Sequence, residues 1–278
     1  MSALTLLQAN LVHRPFSTII TNLNDENRSY LVWPRMKSTK LIYLIGDSHV
    51  EFYGRCSKVI LEDNFGPYVL WLGPKTFLGG YFSGLANEWV EYCSKLVNYI
   101  EKDDLIEQRY FAFSLGSIDI RCMFFQLLRF GPKISFLKLM DKFESAVDYF
   151  FLQVVCVMKA RYPGCGVGVF EVLYCTDLPG ESVTSDKEIK ELLKLRPYPI
   201  LGTFDERSAW CEDINEVISL ACKRHGIDFL PVNRYLKVKD GRKALAEEDS
   251  GDRFHTTNQY LIDNILSEVV NCMRGRVC

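Results

Sequence analysis

Five short apolar runs alternate with longer amphipathic stretches along the 278 residues, and this alternation limits the fold more than any other feature. The apolar runs predict strands at Leu41–Ile45, Tyr68–Leu72, Tyr110–Leu115, Val167–Leu173 and Ile227–Pro231. The amphipathic stretches predict helices at Glu51–Leu61, Leu85–Ile100, Phe136–Arg161, Glu206–His225 and Thr256–Met273, with Thr256 or Thr257 as the last N-cap. Strands that alternate with helices in this way favour a parallel sheet covered by helices on both faces.

Two segments fall outside this alternation. Residues 1–38 precede the first strand and form an N-terminal arm, which either packs on the domain or stands apart from it. Residues 39–278 contain all five predicted strands and are expected to form the main domain. The stretch from Cys175 to Thr203 contains the turn-forming sequences DLPG and RPYP, and it predicts a long loop of the kind that often serves as a lid or binding element.

The composition is that of an ordinary globular protein, with 48% hydrophobic and 24% charged residues. A net charge of -2 offers no general attraction to nucleic acid, so no nucleic-acid partner is expected. No apolar run reaches the roughly 18 residues that a membrane span needs, and the first residues do not resemble a signal peptide. The ten cysteines are scattered without metal-binding spacing, which favours free thiols in a reducing, cytoplasmic compartment. The sequence does not define an oligomeric state.

The first predicted strand stops abruptly at Gly46-Asp47-Ser48. In open α/β sheets, ligands bind beyond the carboxyl ends of the strands, and a serine there precedes a helix whose N–H groups stabilise developing negative charge. Ser48 is therefore a candidate nucleophile. The tripeptide alone is more typical of a plain strand-to-helix turn.

Near the C-terminus, Asp252 and His255 lie three residues apart in the sequence DRFH. An aspartate carboxylate at this spacing can hold the Nδ1–H of the histidine, which leaves Nε2 to take a proton from a serine hydroxyl. The alternative is a helix-capping segment with a surface histidine. With Ser48, the order Ser, Asp, His is one of those in which catalytic triads occur.

These motifs resemble those of the SGNH (GDSL-type) hydrolase superfamily, over roughly residues 40–275. The resemblance implies a three-layer α/β/α sandwich with a flavodoxin-like parallel sheet of about five strands. It also implies that Ser48 is the nucleophile and that Asp252 and His255 complete the triad. Gly73 is similar to the glycine of the family's second block, whose N–H would bind the oxyanion together with that of Ser48.

The third block of that superfamily, usually Gly-x-Asn-Asp, is similar to Gly116-Ser117-Ile118-Asp119 here. Ile118 replaces the asparagine that donates a hydrogen bond to the oxyanion, and this departure resembles a variant subset with Gly-x-Ile-Asp. The Ser117 hydroxyl and the Arg121 guanidinium are candidate substitutes for that donor. Alternatively, Asp119 pairs with Arg121 and shapes the loop.

The resemblance implies a serine esterase or O-deacetylase that cleaves a small acyl ester, with an acylated glycan as one candidate substrate. It requires no metal and no organic cofactor. Acyl transfer to another alcohol shares the first half-reaction, so an acyltransferase is an alternative. A catalytically weak protein that keeps the SGNH fold for binding or as a structural component is the second hypothesis, because Ile118 cannot donate a hydrogen bond.

Overall fold

The structure is a computed structural model, and it describes residues 18–24, 27–32, 39–47, 49–50, 65–72, 75–102, 105–131, 133–174, 185–195, 198–239, 242–244 and 258–275. The predicted helix Glu51–Leu61 lies outside the described residues.

Five parallel strands form the centre of the fold, as the sequence predicts. They are β3 (Lys40–Gly46), β4 (Phe65–Trp71), β5 (Gln108–Ser114), β6 (Gly166–Phe170) and β7 (Asp228–Leu230). Their order across the sheet is β4-β3-β5-β6-β7, and every neighbouring pair is parallel. This is the flavodoxin-like order, in which the second strand lies outside the first and the remaining strands follow on the other side.

Two further strands extend this sheet beyond β4. β1 (Thr18–Asn24) and β2 (Asn27–Val32) form an antiparallel pair, and β2 pairs antiparallel with β4. Part of the N-terminal arm, which the sequence could not place, therefore belongs to the sheet. A separate two-stranded sheet joins β8 (Lys237–Lys239) to β9 (Arg242–Ala244).

Eight α-helices lie within the described ranges. They are α1 (Phe77–Ser83), α2 (Ala86–Ile100), α3 (Phe124–Phe130), α4 (Phe136–Phe150), α5 (Cys156–Arg161), α6 (Asp186–Leu195), α7 (Phe204–His225) and α8 (Gln259–Arg274). A π-helical turn, Asp119–Met123, precedes α3, and a second one, Phe151–Val155, joins α4 to α5. The predicted helix Phe136–Arg161 is thus helical throughout but is interrupted by a π turn.

Alternate residues of β3 point into two separate cores. Leu41, Tyr43 and Ile45 pack in one core with residues of α2, α4, α5 and α7. Ile42 and Leu44 pack in the other core, which α8 supplies with a row of apolar side chains. A strand that is covered on both faces requires a continuous apolar run, which explains the sequence LIYLI.

Three helices differ from the sequence prediction. α1 and α3 were not expected, and α6 lies inside the stretch from Cys175 to Thr203 that the turn-rich sequence assigned to a loop. The N-cap of α8 is Asn258, whose side chain accepts the N–H of Leu261, so the assignment to Thr256 or Thr257 was wrong. α7 ends as predicted at His225, and Gly226 follows in the left-handed conformation.

Seven cysteines of the described ranges carry free thiols, and five of these are buried. Among the helices that the structure describes, none combines the length and the apolar character that crossing a lipid bilayer would demand.

Candidate active site

The strand order reverses between β3 and β5: β4 lies on one side of β3, and β5, β6 and β7 lie on the other. In sheets of this order, ligands bind in the crevice at the carboxyl ends of the strands where the order reverses. The chain leaves β3 at Asp47 and leaves β5 at Leu115. The residues on these two exits therefore form the candidate site.

Gly46 brings the ends of β3 and β5 into close backbone contact. A Cβ atom at this position would lie 2.0 Å from the carbonyl oxygen of Ser114. The N–H of Asp47 donates to that same oxygen at 3.2 Å, and the N–H of Leu72 donates to the Gly46 carbonyl at 2.7 Å. The glycine of the Gly-Asp-Ser motif is thus required by the packing of the strands.

The Asp47 carboxylate, which is fully buried, organises the turn after β3. Its Oδ1 accepts the N–H of His49 at 3.0 Å, and its Oδ2 accepts the Ser117 hydroxyl at 3.1 Å. The Asp47 carbonyl accepts the N–H of Val50 at 3.3 Å, where the chain is already helical. An aspartate side chain that accepts the N–H two residues ahead commonly fixes a turn. Here the Ser117 hydroxyl holds the same carboxylate from the segment after β5.

His49 itself is buried, with 5% of its surface exposed.

Ser117 lies at the start of the helical segment that follows β5, and its hydroxyl points to the turn after β3. A hydroxyl has one proton to donate, and in Ser117 that proton goes to Asp47 Oδ2. To donate to an oxyanion, the side chain would have to leave Asp47. The expected role of Ser117 as an oxyanion donor therefore stays a prediction, while its contact with Asp47 is observed.

Asp119 is fully buried, and it reaches the start of α1. Its Oδ2 accepts the N–H of Phe77 at 2.9 Å, and its Oδ1 is 3.4 Å from the N–H of Leu78. Both oxygens thus accept from backbone N–H groups, and the pair with Arg121 that the sequence also allowed stays a prediction. The pKa of Asp119 is raised to about 7, mainly by burial and in part by the nearby charge of Asp47, while the two N–H groups act to lower it.

Gly116 precedes Ser117, and Ile118 lies between Ser117 and Asp119. Gly116 has a φ of 107°, and a Cβ there would lie 2.8 Å from Val172 Cγ2 and 3.3 Å from a ring carbon of Phe77. Ile118, at the position of the superfamily's asparagine, is buried with 1% exposure. This segment therefore packs as part of the core.

Arg121 lies on the π-helical turn Asp119–Met123 and is 9% exposed. Its carbonyl accepts the N–H of Leu201 at 2.8 Å. This bond joins the turn to the end of the stretch from Cys175 to Thr203. The expected contact of the Arg121 guanidinium with substrate stays a prediction.

The exit of β6 is held by polar side chains that sequence analysis missed. Asn215 of α7 accepts the N–H of Val172 at 2.7 Å and donates to its carbonyl at 3.0 Å, and Asn233 donates to the same carbonyl at 2.8 Å. Glu171 accepts the N–H groups of Val232 and Asn233 at 2.9 and 2.8 Å. The signal in the sequence was a polar residue, Asn215, on the apolar face of α7.

Four of the predicted site residues lie outside the described residues, namely Ser48, Gly73, Asp252 and His255. The assembly of the triad and the oxyanion role of Gly73 therefore stay predictions. Within the part of the chain that the structure describes, His, Cys, Asp and Glu side chains form no group of three that could hold a metal ion.

No protein family model matches the chain. No curated protein sequence matches it either.

Several solved structures are similar in fold. A GDSL-like lipase from Bacteroides thetaiotaomicron is 14% identical, with 84% of this chain and 86% of that chain covered at a TM-score of 0.46. An α/β hydrolase enzyme from the metagenome of Lake Arreo is 15% identical, with 86% and 98% covered at 0.48. A carbohydrate acetylesterase from Sinorhizobium meliloti is 10% identical, with 85% and 98% covered at 0.42. At these low identities and TM-scores, the likeness carries no information on what this chain binds or hydrolyses.

Proposed function

We propose that this protein is a serine hydrolase that cleaves small acyl esters, with Ser48 as nucleophile, His255 as base and Asp252 as the residue that orients His255. The observation that carries the proposal is the bonding of Asp47. Its buried carboxylate fixes the N–H of His49 and the hydroxyl of Ser117 at the point where the strand order reverses. Ser48 stands between Asp47 and His49 in the sequence, so a rigid turn flanks the proposed nucleophile.

The proposed reaction has two halves. The Ser48 oxygen attacks the ester carbonyl while His255 Nε2 takes its proton, and the same proton then goes to the departing alcohol as the carbon–oxygen bond breaks. Water attacks the resulting acyl-enzyme after giving a proton to His255, which returns that proton to Ser48 as the carboxylic acid leaves. Asp252 would hold the imidazole in the tautomer that leaves Nε2 free.

The oxyanion of each tetrahedral intermediate would be bound by the backbone N–H groups of Ser48 and Gly73. The Ile118 side chain has no N–H or O–H group to donate, and the Ser117 hydroxyl proton is given to Asp47. Loss of one oxyanion donor lowers turnover by about 10²–10³-fold in serine hydrolases. We therefore propose a slow esterase, unless the Arg121 guanidinium supplies a third donor.

A fluorophosphonate probe tests the nucleophile directly. The wild-type protein should be labelled and should hydrolyse p-nitrophenyl acetate, whereas Ser48→Ala should do neither. Ser145→Ala is a matched control, because that hydroxyl is exposed and donates only to the Asp141 carbonyl within α4. Failure of the folded wild-type protein to react would contradict the proposal.

A binding or structural protein that keeps this fold without catalysis is the second candidate. The burial of Ile118 at the position of the family's asparagine favours it. Binding of an acetylated oligosaccharide by calorimetry, without release of acetate and without probe labelling, would support this candidate.

An acyltransferase would be labelled by the probe as well. It differs from an esterase in its products, because an added alcohol acceptor would receive the acyl group. Mass spectrometry of the products, with and without a glycan acceptor, separates the two enzymes.

A further inference from the structure

The chain segment that carries Gly73 is tethered on both sides by residues of the described structure. On one side, the N–H of Leu72 donates to the Gly46 carbonyl at 2.7 Å. On the other side, the N–H of Phe77 donates to Asp119 Oδ2 at 2.9 Å. Only residues 73–76 separate these two anchor points.

The second anchor depends on Asp119 because α1 has little tendency to form by itself. Its sequence, FLGGYFS, contains two glycines, and each glycine in a helix costs about 1 kcal/mol relative to alanine. The first N–H groups of any helix have no partner inside the helix. Asp119 supplies that partner for Phe77 and Leu78, while Thr76 Oγ1 accepts the N–H of Gly79 at 2.7 Å.

The helical segment after β5 also contacts the turn that flanks Ser48, because Ser117 donates to Asp47 while Asp119 accepts from α1. Two residues separated only by Ile118 thus bond to residues near the two proposed oxyanion donors, Ser48 and Gly73.

We propose that Asp119 is a positioning residue for the oxyanion donor Gly73, which it holds in place through the first N–H groups of α1. The proposal rests on the proposed function for its catalytic consequence, since Gly73 has an oxyanion to bind only if Ser48 attacks an ester carbonyl. In this chain, the third block of the motif serves to position the site, and the backbone of the second block serves to bind the oxyanion.

The variant Asp119→Asn tests the proposal. An asparagine keeps one oxygen acceptor but turns an NH₂ group toward a backbone N–H, so one of the two anchoring contacts is lost. Displacement of a catalytic group by about 1 Å costs about 10²-fold in rate. We expect kcat for p-nitrophenyl acetate to fall about 10- to 100-fold, while KM changes less than about threefold, because the donor acts on the transition state.

Glu101→Gln is the matched control. Glu101 is also a poorly exposed carboxylate with several partners. It accepts from Tyr43 and from Arg109 at the amino-terminal end of β5, at the opposite end of the strand from the candidate site. This variant loses comparable hydrogen bonds without touching residues 72–78, so kcat should stay within about twofold of wild type. An equal kcat in Asp119→Asn and Glu101→Gln would overturn the proposal.

Amide hydrogen exchange of the wild-type protein gives a test that needs neither a variant nor activity. The amides of Phe77 and Leu78 should be protected by the Asp119 carboxylate, although they lie in the first turn of α1. Exchange of these amides at the rates of an unstructured peptide would overturn the proposal. If the fluorophosphonate probe fails to label Ser48, the proposed function fails, and the exchange rates still decide whether Asp119 anchors this segment.

Discussion

The Ser117 hydroxyl donates a 3.1 Å hydrogen bond to Asp47 Oδ2, and this bond joins the exits of two neighbouring parallel strands. Both side chains are buried. Hydrogen bonds to buried charged groups contribute more than those between neutral groups, because the alternative is a carboxylate oxygen without a donor. The pair therefore fixes the geometry of the loops on which the proposed chemistry depends.

Replacement of Ser117 by alanine removes this donor without adding bulk. We expect Ser117→Ala to lower the free energy of unfolding by about 1–3 kcal/mol, since a buried carboxylate oxygen loses a partner. Urea denaturation measures the change. Ser145→Ala removes an exposed hydroxyl and should stay within about 0.5 kcal/mol of wild type. Equal stability of the two variants would show that the Asp47 contact contributes nothing.

The pH dependence of stability should report the burial of Asp119. Its pKa is raised from 3.8 to about 7, mainly by burial and in part by Asp47, so the folded protein holds the proton more tightly than the unfolded chain. The proton on Asp119 stabilises the folded protein fully below about pH 4. This contribution to the free energy of unfolding decreases by up to about 1.4 kcal/mol per pH unit and is lost as the pH rises through about 7. Asp119→Asn has no such proton.

The difference in the free energy of unfolding between wild type and Asp119→Asn should therefore decrease as the pH rises from 4 to 7. Urea denaturation of both proteins at several pH values measures it. A difference between the two proteins that is constant over this range, or that grows with pH, would contradict the assignment of a raised pKa to Asp119.

Gly116 allows a comparison of steric crowding with backbone strain. Gly116 and Gly84 both have positive φ, but a Cβ at position 84 meets no atom within 4 Å, whereas one at position 116 would lie 2.8 Å from Val172 Cγ2. Gly84→Ala should cost about 1–2 kcal/mol from strain alone. Gly116→Ala should cost about 1–3 kcal/mol more, since the added methyl group crowds the core. Thermal unfolding of both variants measures the difference, and equal losses would argue against crowding at Gly116.

Asn215 should contribute strongly to stability because it bonds both backbone groups of Val172. In Asn215→Ala, the carbonyl keeps Asn233 as a donor, but the buried N–H loses its acceptor, which costs about 1–3 kcal/mol. Asn264→Ala is the control, since this partly exposed side chain of α8 donates only to the carbonyl of Tyr260. Chemical denaturation measures the loss of stability in both variants, and equal losses would contradict this account.

The sheet could be predicted from the sequence because its strands are buried on both faces. A strand such as β3 then appears as an uninterrupted apolar run, and alternation with amphipathic helices implies parallel neighbours. The strand bounds differ by a few residues, since β4 begins at Phe65 and includes Gly66 and Pro67, which are poor strand formers. In β4, pairing with the neighbouring strands outweighs the low strand propensity of Gly66 and Pro67.

The helix α1 could not be predicted, because its stability comes from residues that are distant in the sequence. Two glycines oppose the helix, while Asp119 bonds its first N–H groups and the ring of Phe77 packs edge-on against Phe143 and Phe150. Contacts at such separations leave no trace in local periodicity. The same holds for the π-helical turn Asp119–Met123.

For the candidate site, the motifs in the sequence selected residues but did not give their hydrogen-bond partners. The sequence directed attention to Ser117 and Asp119 through the third block of the motif, as candidates for contact with the oxyanion or substrate. In the structure, their polar atoms contact Asp47 and the start of α1. Hydrogen-bond partners of this kind follow from tertiary packing, and a motif alone does not specify them.

The close approach of β3 and β5 at Gly46 restricts how the site can be altered in the laboratory. Any side chain there would collide with the Ser114 carbonyl, which belongs to the backbone and has no rotamer to change. A saturation library at this codon should return glycine alone among soluble clones. Directed evolution toward new esters would then have to draw its diversity from the loops on either side, while codon 46 remains constant.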